Sequence, residues 1–235
     1  MAKTEEIVDM IKTLRAKCPW DREQQLKDLI RLFIEESYEL LDALERGNRD
    51  GIEEEIGDLI FLSLMAAVIA EEDLKIEMKS ITDKIITKYR NRHPHVFGIT
   101  ILKDSQAILK HWEREKKQPF ENIPKSLPAL VRARLIQERA SRYGFDWKDI
   151  TGPITKVKEE VDEIVGSNKD KREVEFGDLL FSLVNLARFM KIDPEQALAQ
   201  TCDKFQKRFN EVLKRIGAEA DLAEMDRIWD EIKND

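Results

Sequence analysis

Apolar residues recur with a helical period along most of the chain. Over residues 24–46 they fall at Leu26, Leu29, Ile30, Phe33, Leu40, Leu41 and Leu44, the stripe that one face of an amphipathic helix requires. Gly47 follows the last of them, the position where a helix ending in a left-handed residue places glycine. The pattern predicts a second helix over about 52–70 and a third over about 74–92. No segment alternates convincingly with the period of a half-buried strand, so the predicted fold class is all-α. Periodicity lapses most clearly over "KKQPFENIPKSLPAL", residues 116–130, where Pro119, Pro124 and Pro128 end helices and favour extended chain. The expected organisation is a helical domain over 1–117, a proline-rich linker over 118–128 and a second helical domain over 129–235.

The two halves repeat one another. "CPWD" at 18–21 has a loose counterpart in "GFDW" at 144–147, and "EESYE" at 35–39 in "EEVDE" at 159–163. "EIGDLIF" at 55–61 matches "EFGDLLF" at 175–181. Lys88 and Arg92 answer Lys204 and Arg208, and Trp112 and Lys116 answer Trp229 and Lys233. Any one of these elements is common in a chain so rich in acids. Their shared order at similar intervals indicates an internal duplication.

The repeated acids sit where acids are costly. Projected at 100° per residue, Glu36 and Glu39 lie along the edge of the first apolar stripe, and Glu35 faces the opposite side. Glu55 and Asp58 line up with Leu62, Met65 and Ile69, on the face expected to be buried, and their counterparts Glu175 and Asp178 lie on a helix that is apolar nearly all round. Unpaired buried carboxylates lose several kcal/mol to desolvation or take up protons, and a shared divalent cation removes that penalty. A set of four carboxylates without His or Cys suits a hard ion, Mg²⁺ or Mn²⁺. Gly57 and Gly177 would then let the helices approach closely enough to share it. The alternative is a solvated acidic face paired with nearby lysines.

Composition narrows the ligand. Charged residues make up 37% of the 235 and the net charge is −7, which argues against nucleic-acid binding but admits a small anion held through a metal. Lys88/Arg92 and Lys204/Arg208 each place a point charge and a planar fork on one helix face, suited to phosphate oxygens. Trp112 and Trp229, each followed one turn on by Lys116 and Lys233, offer rings for stacking on a base. Cys18 and Cys202 have no CxxC partner, and "MAKTEEIVDM" shows no signal peptide; the expectation is a reduced, cytoplasmic chain. The longest apolar stretch, "LIFLSLMAAVIA", is too short to span a membrane.

EExxE, then ExxD within a "GDLLF"-like helix, then KxxxR resembles the MazG-type nucleoside triphosphate pyrophosphohydrolases of the all-α NTP pyrophosphatase superfamily. "CPWD", "HPHVFG" at 93–98, "SLPALVRARLIQ" at 126–137 and "VNLARF" at 184–189 extend the resemblance to the two-domain bacterial form. It implies Mg²⁺-dependent hydrolysis of NTPs and dNTPs between the α- and β-phosphates, giving NMP and pyrophosphate, with broad specificity and a nucleotide-pool house-cleaning role. Metal ligands would be Glu36, Glu39, Glu55 and Asp58 in the first half, and Glu160, Glu163, Glu175 and Asp178 in the second. Lys204, Arg208 and Trp229 would bind nucleotide, with Lys88, Arg92 and Trp112 as counterparts. It also implies a homodimer, because one helical unit alone leaves an open face that a second copy would complete. Glu35 and Glu159 are candidate proton acceptors for the attacking water.

The second half carries more that suits a nucleotide: Lys156 one turn before Glu159, and Asn185 in line with Asp178, where the first half has Leu32 and Met65. The second site is therefore expected to be the better catalyst. Other readings stay open at this point: a pyrophosphatase specialised for one nucleotide or for phosphoribosyl-ATP, or a non-catalytic dimerisation scaffold. A di-iron bundle expects Glu-x-x-His motifs, and His93, His95 and His111 all lie away from the acidic segments.

Overall fold

The structure is a computed structural model and describes residues 2–114, 118–216 and 221–234. Its described elements are twelve helices: α1 (Ala2–Lys17), α2 (Pro19–Glu23), α3 (Leu29–Arg46), α4 (Arg49–Leu74), α5 (Met78–Arg92), α6 (Pro94–Phe97), α7 (Ser105–Arg114), α8 (Ala129–Arg142), α9 (Thr151–Gly166), α10 (Arg172–Phe189), α11 (Pro194–Arg215) and α12 (Leu222–Asn234). No strand occurs among the described residues, and no helix is long and apolar enough to cross a membrane. The chain forms two compact units, Met1–Ile101 and Leu102–Asp235. The second includes α7, which packs on α8.

In the first unit α3 and α4 form an antiparallel hairpin across which α1 lies. Gly47 ends α3 as its position suggested: at φ 64° it is left-handed, and its N–H reaches the Ala43 and Leu44 carbonyls. Asn48 then caps α4, accepting the Gly51 N–H at 3.3 Å. The helix expected from residue 24 begins instead at Leu29, because the Asp28 carboxylate accepts the Gln25 N–H at 3.0 Å and folds the preceding residues into a turn. Lys75, left-handed at φ 57°, ends α4 and delays the third helix to Met78. Ile11, Leu29, Leu62, Met65, Val68 and Ile69 form one buried cluster, with Leu32 and Phe33 packed against it. Arg15 ties the periphery down: its Nε meets Glu72 at 2.6 Å, and its Nη1 donates to the Asp21 and Gln24 carbonyls at 2.7 and 3.1 Å.

In the second unit α9 and α10 make the equivalent hairpin, with α8 against α10 and α11 against α8 and α12. Asp193 caps α11 by accepting two backbone N–H groups, at 3.0 and 3.2 Å, and also receives Arg134 from α8. The described part of the proline-rich stretch is turn and coil, and Arg139 holds it by donating to the Pro119 and Glu121 carbonyls. Few apolar side chains are fully buried here, chiefly Val184, Val212 and Ile228, while Gln137, Glu160, Ser182 and Asn185 are buried polar groups. One unit has an apolar centre and the other a polar one.

The expected role of the helix glycines is not found within either unit. A Cβ at Gly57 or Gly177 meets nothing within 4 Å, so close packing inside the chain does not require glycine there.

Met65, 1% exposed at the centre of the first core, anchors that unit. Met65→Ala is expected to lower its stability by about 2–5 kcal/mol, read from the urea midpoint by circular dichroism.

Candidate metal and nucleotide site

Two groups of carboxylates converge, one in each hairpin. In the first unit Glu36, Glu55 and Asp58 each offer an oxygen within 4.8 Å of the others, and in the second Glu160, Glu163 and Glu175 do so. Each group holds three of the four acids expected. Glu39 and Asp178 are exposed and stand outside these groups, although Asp178 borders the adjoining cavity. The histidines are absent from both groups.

The acids are less buried than the helical projection suggested. Leu62, Met65 and Ile69 are buried, but the same face of α4 emerges from the core one turn earlier: Glu55 is half-buried and Asp58 exposed. No described residue of the unit buries that end of the hairpin, and the neighbouring Ile56 and Ile60 are exposed too. Glu160 is the exception, at 3% exposure. Its Oε1 lies 2.7 Å from the Lys156 ammonium, and its Oε2 has no hydrogen-bond partner among the described residues.

Crowding of like charge shows in the titration of both groups. Partial burial pushes the Glu36 carboxyl above the usual range, helped by a hydrogen bond with Glu55 and the charges of Glu39, Asp58 and Glu55. Glu163 is raised by desolvation, then by the Glu160 charge, partly opposed by Lys156. Lys156, between Glu159 at 2.8 Å and Glu160 at 2.7 Å, is raised in turn by its hydrogen bonds to both.

The second group opens onto a cavity of about 790 Å³, bordered by Lys156, Glu160, Glu163 and Asp178 at one part and by Gln137, Ser182, Asn185 and Arg188 at another. Trp147, Phe145, Phe120 and Ile136 supply apolar wall. Inside it the Arg188 guanidinium makes a bidentate pair with Asp146, at 2.9 and 2.6 Å, and also donates to Asn185 Oδ1. Arg188 and Asp146 are not among the candidates read from the sequence, although Arg188 sits in "VNLARF", a motif of the resemblance, and Asp146 in "GFDW", the repeat counterpart of "CPWD". Gly152 holds a related signal: a Cβ there would lie 2.2 Å from Trp147 Cδ1, so glycine alone lets α9 begin against that ring.

The first unit fills the same place with hydrocarbon. On the offset that aligns Glu55 with Glu175, Leu62, Met65 and Val68 correspond to Ser182, Asn185 and Arg188. On the offset that aligns Glu36 with Glu160, Leu32 corresponds to Lys156. All four belong to the apolar core or pack against it.

The remaining candidates are placed apart from the cavity. Glu35 is half-buried and ion-paired with Arg31 at 2.7 Å, and Glu159 is exposed and paired with Lys156; neither joins a carboxylate group. Lys204, Arg208, Trp229 and Lys233 lie on α11 and α12 and do not border it. Trp229 packs at 5.1 Å on Phe205. Lys88 is exposed on α5, Arg92 is half-buried at the end of that helix, and Trp112 lies on α7, in the second unit. Lys116 lies outside the described residues.

Comparison with known proteins agrees with this geometry. The family model of the MazG nucleotide pyrophosphohydrolase domain matches residues 24–97 and 154–213, one segment over each hairpin. A nucleoside triphosphate pyrophosphohydrolase of Escherichia coli is 37% identical over 92% of this chain and 90% of its own length. The nucleoside triphosphate pyrophosphohydrolase/pyrophosphatase MazG of Thermotoga maritima is 39% identical over 97% of this chain and 95% of its own. YabN of Bacillus subtilis, an uncharacterised protein, is 38% identical over 92% of this chain but only 48% of its own length. The chain belongs to the MazG nucleotide pyrophosphohydrolase domain family.

Proposed function

We propose that this protein hydrolyses nucleoside and deoxynucleoside triphosphates between the α- and β-phosphates, releasing NMP and pyrophosphate, and that the second unit is the catalytic one. The observation that carries this is the cavity where Glu160, Glu163, Asp178, Lys156 and Asn185 meet. The names of its relatives from E. coli and T. maritima, nucleoside triphosphate pyrophosphohydrolases, support this reading.

The donor set fits a hard divalent ion. Glu160 Oε2 is a buried oxygen with no hydrogen-bond partner among the described residues, and Glu163 and Glu175 bring oxygens within 4.8 Å of that residue's. These three, with Asp178 beside them, would hold Mg²⁺, or Mn²⁺ in its place; Glu36, Glu55, Asp58 and Glu39 are the corresponding set. Bound there, the metal would supply Lewis acidity toward phosphate oxygens and lower the pKa of a coordinated water. Lys156 is placed to exchange its carboxylate partners for a substrate phosphate. That exchange would release Glu159, now held by Lys156, to accept a proton from the attacking water. Lys204 and Arg208 would serve the departing pyrophosphate only from a different conformation or copy, since they stand off the cavity.

The apolar walls read shape more than base identity, which supports broad specificity and a house-cleaning role in the nucleotide pool. A homodimer accounts for the surface. Ile30, Ile34, Tyr38 and Leu41 on α3, and Phe176, Leu180 and Leu183 on α10, are exposed apolar stripes. Gly57 and Gly177 lie one turn from the exposed Ile60 and Leu180, where they would admit a partner helix.

Incubated with NTPs, the protein is expected to give pyrophosphate and monophosphate with Mg²⁺ and nothing with EDTA, by phosphorus NMR. Glu160→Gln should cut kcat/KM by at least about a hundredfold, whereas Glu36→Gln should leave turnover intact; the reverse order would move catalysis to the first unit.

Raised carboxyl pKa values also fix the direction of the pH response. Below both its folded and unfolded pKa, such a group is protonated in either state and neutral to stability. Between the unfolded and the raised folded value the unfolded chain has already ionised while the folded group still holds its proton, so stability falls as pH rises through that window and is level above it. Without metal, the melting temperature should therefore rise as pH falls through the raised folded pKa values of Glu36 and Glu163 toward the ordinary carboxylate range, and Mg²⁺ should raise it more above that window than below it.

Gly57→Ala and Gly177→Ala test the dimer. On an isolated unit, each should stabilise by roughly 0.5–1 kcal/mol. On a dimer packed at those positions, each should instead weaken association, seen by sedimentation across a concentration series.

A further inference from the structure

Gln137 on α8 is 5% exposed and borders the cavity of the second unit. Its Nε2 donates to the Phe181 carbonyl of α10 at 2.7 Å. Only the nitrogen of an amide can donate to a carbonyl, so this bond fixes which end is which. Oε1 is then an acceptor, buried and without a hydrogen-bond partner among the described residues. Buried polar atoms are nearly always satisfied, and an exception calls for a cause. Two cavity-bordering residues present such atoms: Glu160, at the carboxylate group, and Gln137.

Position separates the two. Phe181, Asn185 and Arg188 lie three, seven and ten residues beyond Asp178, or about 5, 10 and 15 Å further along the α10 axis. Gln137 is joined to the first of these turns, just past the acids. The next polar groups along the helix are engaged with one another, Arg188 with Asp146 and Asn185. A triphosphate held at the acids would therefore bring its nucleoside to the turn where Gln137 Oε1 lies unanswered. The first unit supports a ligand-directed cause. On the offset that aligns "CPWD" with "GFDW", Gln137 corresponds to Ile11, which is fully buried in the apolar core. Hydrocarbon packs that helix on the hairpin well, so packing alone does not require an amide.

We propose that Gln137 is a specificity-determining residue whose Oε1 accepts a hydrogen bond from the nucleoside part of the substrate, from a sugar hydroxyl or a base N–H. This rests on the nucleotide reading of the same cavity.

Gln137→Met, nearly isosteric, tests it in the full chain with Mg²⁺. The KM for NTPs should rise roughly tenfold with kcat little changed, the affinity for AMP by calorimetry should fall by a similar factor, and pyrophosphate inhibition should not move. The melting temperature should change little, because loss of the Nε2 bond to the Phe181 carbonyl is offset by removal of an unsatisfied acceptor. If the difference between wild type and variant vanishes with a 2′,3′-dideoxynucleotide, the donor is a sugar hydroxyl. If it vanishes with N3-methyluridine triphosphate but not with UTP, the donor is the base. A lower melting temperature with KM and AMP affinity unchanged would make Gln137 a tie between α8 and α10 and overturn the proposal, as would a wild type that binds no AMP. Gln137-dependent AMP binding without turnover would keep the inference and remove the hydrolase reading instead.

Discussion

The second unit is organised around the burial of one carboxylate. Glu160, on α9, borders the cavity yet is only 3% exposed, a setting in which an uncompensated charge is strongly unfavourable. Lys156 neutralises one of its oxygens one turn away, and the other has no hydrogen-bond partner among the described residues. Around this group the interior departs from the rule that cores are apolar. Ser182, Asn185 and Gln137 are buried with it, and Arg188 enters only because Asp146 and Asn185 absorb its charge. The proposed binding of a cation and a polyanion would call for such groups, and a cavity is the form they take.

The duplication supplies an internal control for that argument. Both units build the same hairpin and bring three carboxylates together at its end. In the first, the positions behind the acids hold Ile11, Leu62, Met65 and Val68. In the second, they hold Gln137, Ser182, Asn185 and Arg188. A dry core suits stability, since each buried aliphatic side chain contributes a few kcal/mol. A polar cavity forgoes that contribution for a surface that can meet a ligand. Five coordinated changes, counting Leu32 against Lys156, separate the two, and none touches the helix boundaries. That is why the same fold carries both.

Much of this was legible in the sequence, because it rests on local rules. The helical period of α3 and its glycine stop follow from local rules and hold in the structure, although Ile30, Leu41 and Leu44 of the stripe are exposed, and three of the four repeated acids in each half converge. The first turn after residue 24 was misjudged because the Asp28 side chain competes with the helix for a backbone N–H. Periodicity does not register that competition. Asp58 looked buried because the projection knows a helix's faces but not where the core ends along it. Arg188 and Asp146 were invisible for a different reason: their pairing spans 42 residues, and neither looks unusual alone. Gln137 reads from sequence as an ordinary polar residue on an amphipathic helix, and its meaning appears only once α8 is laid on Phe181.

The helix glycines carry the argument beyond one chain. Inside a helix, glycine is about 1 kcal/mol worse than alanine, and within either unit nothing occupies the space a methyl group would take. A repeated penalty without an internal cause implies an external one. The exposed stripes beside these glycines, Ile56 and Ile60 on α4 and Phe176, Leu180 and Leu183 on α10, are too apolar to be explained as solvent faces. They also border the open ends of the carboxylate groups, where Asp58 and Asp178 stand exposed. A partner helix seated there would cover those acids, lower the local dielectric and strengthen their hold on a cation. On that view the burial that helical projection assigned to Asp58 and Asp178 would be a property of the proposed dimer: the period would mark the correct face, and a second copy would supply the cover.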